Sequence, residues 1–278
     1  MVRMTETFAH SGRRISYQSY GDGPRLVVLI HGLLMDGRMF TRLAPKLAAR
    51  GHRVVLVDML GHGASDQPHR MTAYTMPQFG RDVVALLDHL GAREAVVGGT
   101  SLGANVTLEA AVAAPDRVRA MFLEMPVLEH GIPAAAAAFL PLALALRTSQ
   151  RTMRALSWLT RRIPRTHYMV DVLIDFVRRD PAASIAVLDG LTFGRIAPPH
   201  DERHRLTMPA LVVGHRSDPI HPFSDADSTA RELPGGRLVE ARSFYEWRVR
   251  PKRLDGELLD FLDGVWQRDA RTAVLRTS

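Results

Sequence analysis

VVGGTSLGANVTL, residues 96–108, predicts a strand, a tight turn and a helix in succession. An apolar run precedes Ser101, an Ala-rich run follows it, and Gly99 and Gly103 flank it in a G-x-S-x-G pattern. Glycines at those two positions let the strand and the helix pass close to one another. A serine on such a turn is held in a strained backbone conformation with its hydroxyl exposed. We therefore predict that Ser101 is a nucleophile.

Apolar strands alternate with amphipathic helices on both sides of this turn. The first predicted strand, residues 15–20, is an edge strand or a hairpin arm, because it alternates apolar and polar residues and ends at a Gly-Asp-Gly-Pro turn. Buried strands are predicted at 25–30, 53–57, 94–98, 118–124, 210–214 and 237–241. Helices are predicted at about 39–49, 76–90, 102–114, 224–233 and 254–266. This alternation is typical of an α/β protein with a mostly parallel sheet and helices on both faces.

The alternation stops between residues 125 and 207, where several helices are predicted in succession. They lie at 134–146, 153–159, 170–179 and 182–188. We interpret 125–207 as a helical cap inserted into a core formed by residues 1–124 and 208–267. The remaining residues, 268–278, are predicted to be a flexible basic tail.

The composition is that of an ordinary globular protein, with 278 residues, 46% hydrophobic and 23% charged. The absence of cysteine excludes disulfides, a thiol nucleophile and thiolate metal ligands. The N-terminus lacks the apolar core of a secretory signal. The most apolar stretch, residues 132–146, is short for a membrane span of about 20 residues. We expect a cytoplasmic protein without stable membrane insertion.

The net charge of +7 comes almost wholly from arginine and is unevenly placed. Residues 130–170 contain no Asp or Glu, and their arginines are Arg147, Arg151, Arg154, Arg161, Arg162 and Arg165. A basic apolar segment fits an acidic substrate, an acyl carrier or a membrane surface, although a solvated helix face has the same composition. No nucleic-acid-binding motif is present, and an aromatic content of 6% offers no stacking platform, so we expect no nucleic-acid partner.

Four motifs, in this order, resemble those of the α/β-hydrolase family in its capped esterase-like branch. They are HGLL at 31–34, DMLGHGASD at 58–66, GTSLG at 99–103 and LVVGHRSDPIHP at 211–222. The resemblance covers about residues 13–265 and implies the α/β-hydrolase fold with an inserted helical cap. Because this fold hosts many chemistries, the resemblance leaves the substrate open.

The resemblance also implies roles for particular residues. Ser101 corresponds to the nucleophile, the amides of Leu33 and Leu102 to the oxyanion hole, and Asp218 to the acid that orients the base. Two N–H groups at an oxyanion hole stabilise charge on the attacked carbonyl oxygen. Three further residues are implied to support loops, namely His31, Asp58 and His62.

The general base is the one role that the resemblance does not fill. In the family a histidine follows the last strand, but this chain has Phe244 at or near that position. His221, three residues after Asp218, is one candidate for the base. A carboxylate, Glu124 or Glu246, is another if burial raises its pKa. A cap histidine is a third, from His130, His167, His200 and His204, and the absence of any efficient base is the fourth.

These observations favour a serine hydrolase that cleaves an ester or thioester with an apolar acyl group through a Ser101 acyl-enzyme and a non-standard base. Two alternatives stay open: a non-hydrolytic ligand-binding protein, and a lyase or cyclase that uses the oxyanion hole. No metal or organic cofactor is required by this chemistry. The expected partner is an apolar small-molecule substrate, with acidic and carrier-bound forms open, and the oligomeric state is not predicted.

Overall fold

A computed structural model describes residues 5–148, 155, 158–160, 163–164, 171, 174–175, 178–243 and 246–277, with side chains as far as 267. In this part of the chain, eight strands form a single sheet. The strands are β1 Thr5–His10, β2 Arg13–Tyr20, β3 Arg25–Ile30, β4 His52–Asp58, β5 Ala95–Thr100, β6 Val118–Glu124, β7 Ala210–His215 and β8 Gly236–Ala241. Their order in the sheet is β1-β2-β4-β3-β5-β6-β7-β8. The α/β fold with a mostly parallel sheet is therefore confirmed.

Only the pairs at one edge of the sheet are antiparallel. β1 pairs with β2 and β2 pairs with β4 in antiparallel fashion, whereas every later pair is parallel. The carboxyl ends of the parallel strands therefore meet along one edge of the sheet, where the candidate functional residues lie.

Helices cover both faces of the sheet. Their bounds are α1 Ala44–Ala48, α2 Met76–His89, α3 Leu102–Ala113, α4 Ile132–Thr148, α5 Pro181–Thr192, α6 His200–His204, α7 Phe223–Glu232, α8 Glu246–Val249 and α9 Lys252–Thr277. Short 3-10 turns occur at Gly37–Phe40, Met71–Ala73 and Pro115–Arg117. Along β3, Val28 belongs to the core that includes α2 and α3, while Val27 and Leu29 belong to the core that includes α1 and α9. Side chains alternate across a strand, so an uninterrupted apolar run is what a strand covered on both faces requires.

The segment between β6 and β7 carries α4, α5 and α6, at the position of the predicted cap. α4 packs on α5 through a small apolar cluster of Ala143, Leu146 and Leu188. Of the helices predicted at 153–159 and 170–179 the structure describes only some residues, and all of these except Arg179 are helical. No described helix is both long and apolar enough to cross a bilayer.

Several elements differ from the prediction, and two of them, α6 and α8, are short helices that no predicted helix covers. β1 was not predicted, because Phe8 is its single buried side chain. The helix predicted at 39–49 is a 3-10 turn followed by the short α1, which has a proline in its first turn. α9 continues through Thr277, so residues predicted as a flexible tail are helical. Residues 265–278 contain neither Gly nor Pro to end that helix.

Candidate active site

Ser101 lies on a strained turn between β5 and α3. Its backbone angles are φ 54° and ψ −111°, which a non-glycine residue adopts only when its surroundings enforce them. The Ser101 amide donates to the Glu124 carbonyl at 2.8 Å, which ties the turn to the end of β6. A Cβ at Gly99 or Gly103 would lie 2.2 or 2.0 Å from the Ile30 carbonyl oxygen. The glycines flanking the serine are thus required by the close approach of β3.

His221 and Asp218 continue from the serine in a hydrogen-bonded chain. His221 Nε2 lies 2.8 Å from Ser101 Oγ, and His221 Nδ1 lies 2.8 Å from Asp218 Oδ2. The Asp218 side chain is fully buried, and that of His221 is 13% exposed. Burial opposes ionisation of Asp218, but hydrogen bonding and proximity to His221 lower the pKa of this carboxyl below its ordinary value. An ionised Asp218 accepts a hydrogen bond from Nδ1–H, so that the unprotonated Nε2 faces the serine hydroxyl and can accept its proton.

The loop between β7 and α7 holds this histidine and this aspartate in one turn. Asp218 Oδ1 accepts the backbone amides of Ile220 at 2.8 Å and His221 at 3.0 Å, as in an Asx turn. A single carboxylate therefore fixes the loop with one oxygen and contacts the imidazole with the other. Asp218 therefore forms the turn and also holds the position expected for an orienting acid.

The loop carrying Leu33 lies beside the nucleophile. A Cβ added to Gly32 would lie 4.0 Å from Ser101 Cβ, and Leu33 and Leu102 line the same cavity as Ser101. In the hydrogen bonds among described residues, neither the Leu33 nor the Leu102 amide is a donor. Leu102 is the first residue of α3, where helix amides are unpaired and the dipole is positive. Both N–H groups are therefore available near Ser101.

The histidines of the first two motifs face the protein interior. His31 is fully buried, accepts the Met59 amide through Nε2 at 3.0 Å and contacts the Gly32 carbonyl through Nδ1 at 2.8 Å. The His62 ring lies 4.9 Å from the His31 ring, and burial lowers the pKa of both. These contacts connect the loop after β3 to the loop after β4.

Asp58, at the end of β4, accepts a backbone hydrogen bond at each of its two carboxylate oxygens. Its Oδ1 accepts the Gly37 amide at 2.8 Å, and its Oδ2 accepts the Ala64 amide at 2.9 Å. These are loop-supporting contacts of the kind that the resemblance implies.

Glu124 lies at the centre of a buried polar cluster behind the serine turn, formed with Thr100, His215 and Arg248. Its carboxylate accepts from the Thr100 hydroxyl and from Arg248 Nη2 at 2.9 Å, and its Oε1 lies 3.5 Å from His215 Nε2. Burial by itself raises the pKa of Glu124, but Arg248, His215 and Thr100 together lower it to about 2. This is opposite to the raised pKa on which a base role for Glu124 depends.

The other candidates for the base are engaged elsewhere. Glu246 pairs with Arg253 at 2.7 Å, and this hydrogen bond lowers the pKa of the glutamate. His130 Nδ1 contacts Asp225 at 3.0 Å, and His204 Nδ1 contacts a backbone carbonyl. The remaining described cap histidine, His200, stacks on His204. Phe244 and His167 lie outside the described residues.

A cavity of about 270 Å³ opens beside Ser101 and His221, and residues of α4 and α5 line it on the other side. Its apolar lining includes Leu33, Met76, Leu102, Val127, Ile132, Ala135, Ala136, Phe139, Leu140, Ala143, Leu188, Leu191, Phe193, Ile196 and Ile220. Its charged lining consists of Arg147 and Asp189, which form an ion pair with each other. The cavity therefore presents a largely apolar surface to whatever approaches the serine.

Two further buried polar residues join α3 and α7 to the segment between β6 and β7. The Asn105 amide group donates to the carbonyls of Val127 at 2.7 Å and Ile196 at 2.9 Å. Asp225 accepts the amides of Leu128 at 2.7 Å and Gly131 at 2.8 Å. Neither residue belongs to a recognisable sequence pattern, so only the fold reveals these contacts. Within the described part of the chain, no group of three or more His, Asp or Glu side chains is arranged to hold a metal ion.

A family model described as the alpha/beta hydrolase fold matches residues 25–247. Epoxide hydrolase B of Mycobacterium tuberculosis is 40% identical over 95 residues, which is 34% of this chain and 26% of that protein. Across similar epoxide hydrolases the match spans 20% to 37% of their length. The identity to these proteins is therefore confined to a minor part of each.

Two further similarities extend over most of the chain. The magnesium-chelatase 30 kDa subunit of Rhodobacter capsulatus is 26% identical over 262 residues, covering 87% of this chain and 88% of that protein. The enol-lactonase structure from Burkholderia xenovorans LB400 superposes with a TM-score of 0.74 at 23% identity, covering 93% of this chain and 100% of that one. At that identity the superposition establishes a common fold.

Proposed function

Because the chain belongs to the α/β-hydrolase family, we propose that it is a serine hydrolase that cleaves an ester or thioester with an apolar acyl group. The observation that carries this proposal is the hydrogen-bonded chain from Ser101 Oγ through His221 to Asp218, with 2.8 Å at both links. A nucleophile, a base and an orienting acid in this geometry form the arrangement used for acyl transfer.

In the first half of the proposed reaction, Ser101 Oγ attacks the acyl carbonyl carbon while His221 Nε2 takes the hydroxyl proton. The carbonyl oxygen becomes an oxyanion, which the amides of Leu33 and Leu102 stabilise. The intermediate collapses by breaking the bond to the leaving alcohol or thiol, which receives the proton from His221. The product of this half is an ester between Ser101 and the acyl group.

In the second half, water attacks the acyl-enzyme carbonyl and His221 takes the water proton. The same two amides stabilise the second oxyanion. Collapse breaks the bond to Ser101 Oγ, which regains its proton from His221, and releases a carboxylic acid. Asp218 retains its charge throughout and stabilises the imidazolium that forms in each half.

The apolar lining of the cavity supports the proposal that the acyl group of the substrate is apolar. A substrate carbonyl at Ser101 would place its acyl chain among aliphatic and aromatic side chains, whose burial favours binding by about 25 cal/mol per Å². A pocket retained only for binding has no need of an imidazole between the serine and a buried carboxylate. We therefore favour hydrolysis over the ligand-binding alternative.

Labelling with a fluorophosphonate tests the proposal, because this reagent phosphonylates activated serines. The wild-type chain is expected to label stoichiometrically and to cleave p-nitrophenyl esters, and Ser101→Ala is expected to do neither. Thr107→Val serves as a control, since Thr107 is a buried hydroxyl of α3 that donates within its own helix. Absence of both labelling and ester cleavage in the folded wild-type chain would refute the proposal.

A further inference from the structure

α4 is apolar on all sides but lies at the surface. Its sequence, IPAAAAAFLPLALALRT, has no polar residue before Arg147. Only Ala143 and Leu146 are buried, whereas Leu140 and Leu144 are 62% and 59% exposed. A helix that is apolar all round is normally buried or in contact with lipid, because its exposure to water is unfavourable.

One side of α4 is already used by the cavity. Ala135, Phe139 and Ala143 line it, together with Ile132 and Leu140, which are also exposed at the surface. The exposed side includes Ala137 and Leu144, neither of which lines the cavity. The apolar surface is thus continuous from the exposed side of the helix to the interior of the cavity.

The net charge of the chain distinguishes between possible occupants of the exposed side of α4. Residues 130–170 contain six arginines and no acidic residue, and the whole chain has a net charge of +7. In a two-fold dimer through α4, two chains that each carry a net charge of +7 would be brought together, and like charges repel. An anionic lipid surface offers both an apolar layer for the helix and negative charge for a chain of net positive charge.

We propose that α4 docks the cap on an anionic lipid surface, lying in the interface plane without crossing the bilayer. The apolar substrate then enters the cavity directly from the lipid, past Ile132 and Leu140. This entry route rests on the proposed hydrolase function, whereas the docking itself does not.

Co-sedimentation of the full chain with vesicles tests the docking separately from hydrolysis. We expect binding to phosphatidylcholine vesicles with 30% phosphatidylglycerol, much weaker binding to phosphatidylcholine alone, and release from the anionic vesicles in 0.5 M salt. Ser101→Ala is expected to bind as the wild type does. Failure to bind anionic vesicles, or equal binding to neutral ones, would overturn the proposal without affecting the hydrolase proposal.

The double variant Ala137→Gln, Leu144→Gln tests the helix itself. We expect this variant to bind anionic vesicles roughly tenfold more weakly than the wild type, because it removes one leucine side chain from the apolar layer of the lipid. Hydrolysis of a soluble p-nitrophenyl ester by this variant is expected to match the wild type. The matched control is Val249→Gln, because Val249 is an apolar side chain on α8 that is 70% exposed, and it is expected to leave vesicle binding unchanged.

Sedimentation velocity without lipid tests the competing possibility that a second copy of the chain covers α4. A monomer in both the wild type and the double variant supports docking on lipid. A wild-type dimer that the double variant converts to a monomer would show that a second copy covers α4, and would overturn the proposal.

Discussion

Asp218 and His221 lie three residues apart in one loop, with Asp218 Oδ2 2.8 Å from His221 Nδ1. The family pattern separates the corresponding acid and base, with the histidine after the last strand. Here both groups follow β7, and the hydrogen bonds from Asp218 Oδ1 to two backbone amides hold their relative position. The loop between β7 and α7 therefore places an imidazole beside Ser101 and a carboxylate beside that imidazole, and in the proposed mechanism this loop supplies the base.

His221→Ala is expected to lower kcat/KM for a p-nitrophenyl ester by about 10⁴-fold or more, because it removes the group that takes the Ser101 proton. The measurement is steady-state kinetics on variants whose circular dichroism matches the wild type. The comparison variant is Glu246→Gln, which alters a carboxylate paired with Arg253. A larger loss with Glu246→Gln than with His221→Ala would assign the base to the carboxylate.

Asp218→Asn is expected to lower kcat by about 10⁴-fold while leaving the fold intact. The asparagine Oδ1 still accepts the amides of Ile220 and His221, so the loop retains its turn. The amide group that replaces Oδ2 donates a hydrogen bond, which favours the wrong tautomer of His221. Kinetics and thermal melting measured on the same preparation test this. Near-normal turnover would show that Asp218 supports the loop alone.

Glu124 is expected to make the fold sensitive to acid. Its pKa in the folded state is about 2, below the ordinary 4.5, so the ionised form stabilises the fold above pH 4.5. This stabilisation, about 3 kcal/mol at most, is lost as the pH falls from 4.5 towards 2. The measurement is urea unfolding between pH 7 and pH 3.

Glu124→Gln provides the control for that titration, since glutamine keeps the shape and an acceptor for Thr100 but cannot ionise. We expect this variant to be less stable than the wild type at pH 7, with a smaller loss between pH 5 and pH 3. Parallel curves for the two proteins would show that the ion pair with Arg248 contributes nothing to the acid response.

Gly103→Ala is expected to destabilise the fold strongly, because its Cβ would lie 2.0 Å from the Ile30 carbonyl oxygen. Strain and overpacking of this kind cost about 1 to 3 kcal/mol or more. The control is Gly264→Ala in α9, where an added Cβ meets nothing within 4 Å and alanine favours the helix by about 1 kcal/mol. Chemical denaturation of both variants measures the difference, and equal stability would contradict the close approach.

Much of the core could be predicted because its signals are local. The apolar sequence of β3 predicts the bounds of that strand, and the glycines on either side of Ser101 predict the turn. β1 cannot be predicted from its own residues, because Phe8 is its single buried side chain. The strand depends on its pairing with β2. α9 extends past its expected end because the basic sequence after Trp266 contains no residue that stops a helix.

The individual residues of the site could be predicted better than the contacts between them. The sequence predicts Ser101, Asp218 and His221 as site residues, but it does not distinguish His221 from a carboxylate or a cap histidine as the partner of the serine. That distinction depends on a contact between residues 120 positions apart, which no local pattern encodes. The cluster around Glu124 likewise joins the ends of three strands and α8.

Asn105 has a consequence for how this protein can be redesigned. Its one side chain binds Val127, near the start of the cap, and Ile196, near its end, while Val127 also donates back to Asn105 Oδ1 at 3.0 Å. The insertion is therefore attached at both ends to a residue one helical turn after the nucleophile. A chimaera that receives a cap from a homologue would have to preserve this asparagine and both acceptor carbonyls to keep the entrance aligned with the serine.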